Sequence, residues 1–131
     1  MLSDVIQKNC KEFEPLSKSE SIKIQRKWLE LFANRVKEKT GKWRTGDYLW
    51  SNFASGIQPA YSSSKAIELY KQQKLGLFYI LDESGKHCFQ CKSETLPEFY
   101  NTGYDLYLFP KDGNWTVVFC HDNVVYFSYA E

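Results

Sequence analysis

Two short stretches carry side chains able to do metal or thiol chemistry: His87-Cys88-x-x-Cys91 and Cys120-His121-Asp122. A Cys-x-x-Cys spacing with a second Cys–His pair supplies the ligand types of a zinc site. A thiol near an imidazole and a carboxylate supplies a nucleophile, its base and an orienting group. The spacing argues against both readings. A ligating Cys-x-x-Cys sits in a tight knuckle, whereas Cys88 and Cys91 fall in a run with strand character. There an odd separation sends them to opposite faces. Cys120 and His121 are neighbours and diverge for the same reason, and His87 meets His121 only if their strands pair. Cysteine is also an ordinary small core residue. The expectation is no metal, no cofactor and no catalytic residue. The alternative is a zinc- or thiol-dependent small enzyme built on Cys88, Cys91, Cys120 and His121. The seven glycines are scattered and form no phosphate-binding loop.

A second set of residues is suited to binding. Residues 1–45 hold eleven Lys/Arg against six Asp/Glu, a net of +5, and residues 46–131 hold six against ten, a net of −4. The front of the chain is basic and the rest acidic, and an acidic surface suits a basic partner. Glu94, Glu98, Asp105, Asp112 and Asp122 are the candidate acids, with Tyr48, Trp50 and Tyr107 as candidate aromatic anchors, because Trp and Tyr are favoured at the energetic centres of interfaces. The aromatics of Tyr104–Phe109 could stack on bases, as on RNA-binding sheets. Yet residues 94–131 hold six acids against the single Lys111, the wrong sign for a phosphate backbone. Nucleic acid is not expected as a direct partner.

The elements that must position these residues are legible in the spacing. The stretch from Leu96 to Glu131 reads as a β-meander: Tyr104–Phe109, Trp115–Cys120 and Val124–Tyr129 are runs of apolar, β-branched and aromatic residues. Asp112-Gly113 lies in the first gap, and both residues tolerate the positive φ of a tight turn. His121-Asp122-Asn123 makes the second turn. Upstream, Leu77–Leu81 and Lys86–Lys92 flank a hairpin loop, Asp82-Glu83-Ser84-Gly85.

The N-terminal part reads as helical. Residues 2–13 place Ile6, Cys10 and Phe13 at helical spacing before Pro15, with an edge strand at Leu2–Ile6 as the alternative. Ser17-Lys18-Ser19-Glu20 fits a capping box. Ile24, Trp28, Leu31, Phe32 and Val36 continue one face up to Gly41, which can close the helix. Residues 42–61 gather Trp43, Tyr48, Trp50 and Phe53 among polar residues, with Gly46 and Gly56 as breaks; Tyr48–Phe53 fits one or two helical turns or a strand. Ser62-Ser63-Ser64 offer caps for a helix over Lys65–Lys74.

Helices first and strands after argue an α+β fold. The N-terminal helices pack on a mainly antiparallel sheet of about five strands, ending in the C-terminal meander, as one domain over residues 1–131. The chain has 131 residues, 43% hydrophobic, 25% charged and 17% aromatic, enough for one core without staples. No run approaches the length that spans a bilayer, and the N-terminus lacks a secretory pattern. The expected location is the cytoplasm, with the four cysteines as reduced thiols. The last strand, if its edge is exposed, could pair across a dimer.

Several of these runs carry a resemblance. Trp28-x-x-x-Phe32-Ala33, Leu49-Trp50-x-x-Phe53, Ala66-x-x-x-Tyr70, Phe78-Tyr79-Ile80, Asp105-Leu106-Tyr107-x-Phe109 and Trp115-Thr116-Val117-Val118-x-x-His121 together resemble a family of small bacterial domains, over about residues 22–127. The chain departs from that pattern at Ser51, where the family tends to have His, and at Cys120, where it has Thr. No catalytic residues are carried over. The general build is also similar to immunity proteins of bacterial toxin–immunity pairs, including those of contact-dependent growth inhibition. That resemblance implies a cytosolic, non-enzymatic protein that binds a cognate toxin, such as a nuclease, and blocks it.

Overall fold

A computed structural model describes residues 1–43, 48–54 and 56–130. Its centre is a seven-stranded sheet, every neighbouring pair antiparallel. In chain order the strands are β1 (Glu12–Pro15), β2 (Tyr61–Ser62), β3 (Leu77–Asp82), β4 (Cys88–Lys92), β5 (Leu106–Pro110), β6 (Trp115–Phe119) and β7 (Val125–Tyr129). In space they run β1-β4-β3-β5-β6-β7-β2. The α+β class is as the sequence implies, and the meander lies where its turn residues put it. The two strands beyond the expected five are the edges. β1 carries two glutamates and Pro15, and proline, which cannot donate to a ladder, is tolerated there. β2 is only two residues long.

The pleat explains the core. Successive strand residues face opposite sides. Phe78, Ile80, Leu106, Leu108, Val117, Phe119 and Phe127 pack with Ile6 of α1 (Leu2–Asn9) and with Ala66 and Tyr70 of α5 (Ser63–Lys71). Tyr79, Leu81, Tyr107, Phe109 and Val118 pack on the other face with Trp28, Leu29 and Phe32 of α2 (Lys18–Phe32) and with Phe53 of α4 (Ser51–Ala54). The sheet is thus covered on both sides, and every residue of β5 and β6 is buried.

The helix starts follow from capping, and their ends are where expectation and structure part. Ser17 Oγ accepts the Glu20 N–H at 3.2 Å and Glu20 Oε1 accepts the Ser17 N–H at 3.3 Å, the reciprocal capping box. The helix expected to reach Gly41 breaks at Ala33 into α2 and α3 (Asn34–Thr40). Gln58 Oε1 takes the Arg35 N–H there at 3.1 Å. Gly41 closes α3 with a φ of +86°. The expected helix over 2–13 ends at Asn9, because Cys10 is extended and Phe13 enters β1. The alternative edge strand at Leu2–Ile6 is helix, and the edge strand comes later in the chain, at Glu12–Pro15. Gly46, expected as a chain break, lies outside the described residues. Among the described residues no helix is long and apolar enough to cross a membrane.

A buried polar relay pins α2 to the sheet. Trp28 Nε1 donates to Thr116 Oγ1 at 2.9 Å, and Thr116 Oγ1 donates to the Leu108 carbonyl at 2.9 Å. The last strand is not the free edge the sequence suggested. β2 pairs with β7 through Tyr61↔Phe127 and Ser62↔Tyr126, and α5 packs beside it.

Candidate functional site

The polar groups converge at one end of the sheet. β3 finishes there at Asp82, β5 begins at Leu106, and the β6–β7 turn carries His121 and Asp122. Glu83, in the β3–β4 turn, accepts hydrogen bonds from the Tyr107 hydroxyl and, at 2.8 Å, from the Leu49 N–H. Tyr107 in turn accepts the Trp50 N–H at 3.0 Å. Asp105, buried just before β5, accepts Trp50 Nε1 at 3.1 Å, the His121 N–H at 2.9 Å and the His121 ring Nδ1 at 3.0 Å. Two carboxyls and a phenol therefore fasten the segment 48–53 to the sheet end. Within that segment α4 is a single turn, closed by Ser51 N–H to the Tyr48 carbonyl at 2.9 Å and braced by Asn52 Nδ2 on the Leu49 carbonyl at 2.7 Å.

The clamp aligns aromatic rings. Tyr48 stacks on Trp50 at 4.9 Å and 10° between planes, and Trp50 stacks on Tyr126 at 6.1 Å. His121 lies 5.3 Å from Tyr48. Phe53 turns inward to Trp28 at 5.5 Å. Tyr48 is 37% exposed and Trp50 and Tyr126 are half-buried, so the stack forms a ledge with one side in solvent. Ring stacking adds to area burial.

Burial tunes the proton-holding groups beneath. Burial, opposed by its bonds to Tyr107 and Leu49 and helped by Asp105 and Asp82, pushes the Glu83 carboxyl up to about 7. Burial and the facing Glu83 push Tyr107 well up, so the phenol keeps its proton and donates it. The hydrogen bond that its ring donates to Asp105, and then the Asp105 charge, raise His121 above the ordinary imidazole value. Asp105 thus orients an imidazole, and Glu83 titrates near neutrality two strands away.

Four of the expected partner-binding residues meet here: Tyr48, Trp50, Asp105 and Tyr107. Asp122 adjoins them on the β6–β7 turn, exposed, its Oδ1 accepting the Val124 N–H. The other three do not join. Asp112 sits in the β5–β6 turn at the opposite end of the sheet. Glu94 follows β4 at that same far end, where Ser93 bonds Gly76. Glu98 lies in the connection to β5, near Tyr70 on the α5 side. Asp112 and Asp122 sit on successive turns of the meander, which fall at opposite ends of the sheet; for Glu94 the spacing is silent, because β4 lies beyond β3 from β5. Asp105 and Tyr107 are also buried, and their hydrogen bonds support the ledge from beneath. Glu83 and Tyr126 were not singled out by sequence reasoning; Glu83 reads there as one more polar hairpin residue.

The Cys/His set does not assemble. Cys88 lies with Trp28 on the α2 face and Cys91 with Cys10 on the α1 face, the divergence expected of an odd separation in a strand. His87 precedes β4 and His121 follows β6, with β3 and β5 between, so those strands do not pair. Burial, then the charges of Asp105, Asp122 and Glu83, push the Cys120 thiol up, away from the thiolate a nucleophile needs. Among the described residues no three His, Cys, Asp or Glu side chains gather as a metal ion requires. Compared with known protein families, curated proteins and solved structures, the chain has no significant match.

Proposed function

We propose that this chain is a cytosolic binding protein of the immunity type, which neutralises a cognate bacterial toxin by direct association. The observation that carries this reading is the Tyr48–Trp50–Tyr126 ledge, half exposed yet fixed from below by Asp105, Tyr107 and Glu83. Aromatic anchors already held in one conformation lose little entropy on docking. Asp122 beside the ledge adds negative charge, and the flat rings accept a guanidinium, so a basic toxin surface such as that of a nuclease complements the site.

The test is co-purification with the product of the neighbouring gene, followed by calorimetric titration. Nanomolar one-to-one binding, about −12 kcal/mol, is expected. Trp50→Ala should weaken it by about 2 kcal/mol or more, as for a central aromatic anchor. Asp122→Lys should slow association, and Asp112→Lys, at the far end, should change nothing. Tight binding indifferent to Trp50 and Asp122 would move the interface elsewhere, and no binding would remove the immunity reading.

A further inference from the structure

A cavity of about 600 Å³ opens on the α1 face of the sheet, at the end whose β3–β4 turn also carries Glu83. Its walls are apolar: Leu2, Phe13, Phe89 and Tyr104. Phe13 meets Phe89 edge to face at 5.9 Å, which fixes one wall. The rim is polar and comes from the β3–β4 turn, where Lys86 and His87 stand exposed. Asp82, which also lines the rim, has both oxygens turned to its own hairpin: they accept the Ser84 hydroxyl at 2.8 and 3.0 Å, and Oδ1 also accepts the His87 N–H at 3.3 Å. The Lys86 ammonium has no hydrogen-bond or ion-pair partner among the described residues.

We propose that this cavity binds an anionic amphiphile, a carboxylate or similar monoanion on an apolar body. Volume and lining match those of small-molecule sites, mostly apolar walls with a few polar groups at one side. The apolar body lies against Phe13, Phe89 and Tyr104, where it leaves water. The anion sits at the rim between Lys86 and His87 and gains charge-assisted hydrogen bonds that no protein group supplies. The site shares the β3–β4 turn with the Glu83 clamp but no lining residue with the ledge, so either reading can fail alone.

The experiment titrates the full chain with decanoate and with 2-naphthoate, which carry the same charge on a flexible and a flat body. Decanol and decyltrimethylammonium serve as the neutral and cationic counterparts, all kept below micelle-forming concentrations. Calorimetry gives the affinity and amide chemical shifts give the place. At least one anion is expected to bind one-to-one, tighter than decanol, with shifts centred on Phe13, Phe89, Lys86 and Tyr104. Lys86→Gln, at an exposed side chain, should leave the melting temperature alone and weaken the anion about tenfold, the loss of one charge-assisted hydrogen bond, and Lys86→Glu should weaken it further through repulsion. Decanol or the cation binding as tightly as both anions would overturn the proposal. So would shifts elsewhere, indifference to Lys86→Gln, or no binding by either anion.

Discussion

Glu83→Gln should remove most of the pH dependence of stability between acid and neutral conditions. The Glu83 carboxyl moves from its ordinary 4.5 to about 7 in the folded chain, chiefly through burial. A folded value raised above the unfolded one means the native state holds its proton longer. The stability this contributes is fully present below about pH 4.5 and is lost as pH rises through 7. For a fully buried group the swing would be about 3 kcal/mol. Glu83 is half-buried, and solvent screening reduces the expectation to about 1–2 kcal/mol. In a chain of this size that is a fall in melting temperature of roughly 3–8 °C between pH 5 and 8. Gln carries no charge to bury, and its single oxygen can accept from only one of the two donors, the Tyr107 hydroxyl or the Leu49 N–H, that now bond separate carboxylate oxygens. His121 adds a smaller slope of the same sign, because a raised imidazole gives stability below its ordinary 6.5 and loses it above. The variant should therefore be flat from pH 5 to 6.5 and retain only the His121 slope beyond. Urea unfolding at half-unit steps of pH measures this, and amide exchange at Leu49 and Trp50 shows whether the segment loosens first. If the variant falls as steeply as the parent below pH 6.5, Glu83 is not the titrating group and the clamp is misread.

Thr116→Val strands the buried Trp28 N–H and should cost about 1–3 kcal/mol by chemical denaturation, less than the about 3–5 kcal/mol of Trp28→Ala. Tyr107→Phe leaves the Trp50 N–H and the Glu83 carboxyl without their shared partner; a loss of about 1–2 kcal/mol is expected, with tryptophan fluorescence shifted to longer wavelength as Trp50 moves into water. Gly113→Ala places a Cβ 2.9 Å from Leu31 Cδ1 at a φ of +74°, so thermal melting should show at least about 1 kcal/mol of destabilisation.

The meander, the hairpin and the capping box were legible because each is a local signal. Turn residues and alternation mark Leu106–Pro110, Trp115–Phe119 and Val125–Tyr129 to within two residues, and Ser17 and Glu20 bond as their spacing requires. The strand parity of Cys88 and Cys91 was legible for the same reason. Long-range facts were not. β1 is a strand because β4 offers it an edge, in the register Phe13↔Cys91, and Glu12-Phe13-Glu14-Pro15 has no strand signal of its own. The break at Ala33 falls where Gln58, 25 residues on, supplies the acceptor for Arg35. The site divides in the same way. The aromatics of residues 48–53 stood out by composition. Their attachment to Asp105 and Glu83 spans separations of 55 and 34 residues that no spacing rule reaches.

The proposed docking place also follows from what the sheet leaves open. Its two faces are under helices. One edge ends at Pro15 with Glu12 and Glu14 exposed, and the other is the two-residue β2, which runs directly into α5. Such short, charged or proline-terminated edges give an added strand little ladder to extend, so main-chain pairing is a poor source of affinity here. The ends of the strands remain, and the Glu83–His121 end differs from the Asp112 end in carrying stacked rings on a hydrogen-bonded base. A partner meeting a strand end must bind through side chains. Rings stacked before it arrives need the least reorganisation, and that is why the ledge, rather than the nearest edge, is where Trp50 and Asp122 are set to be tested.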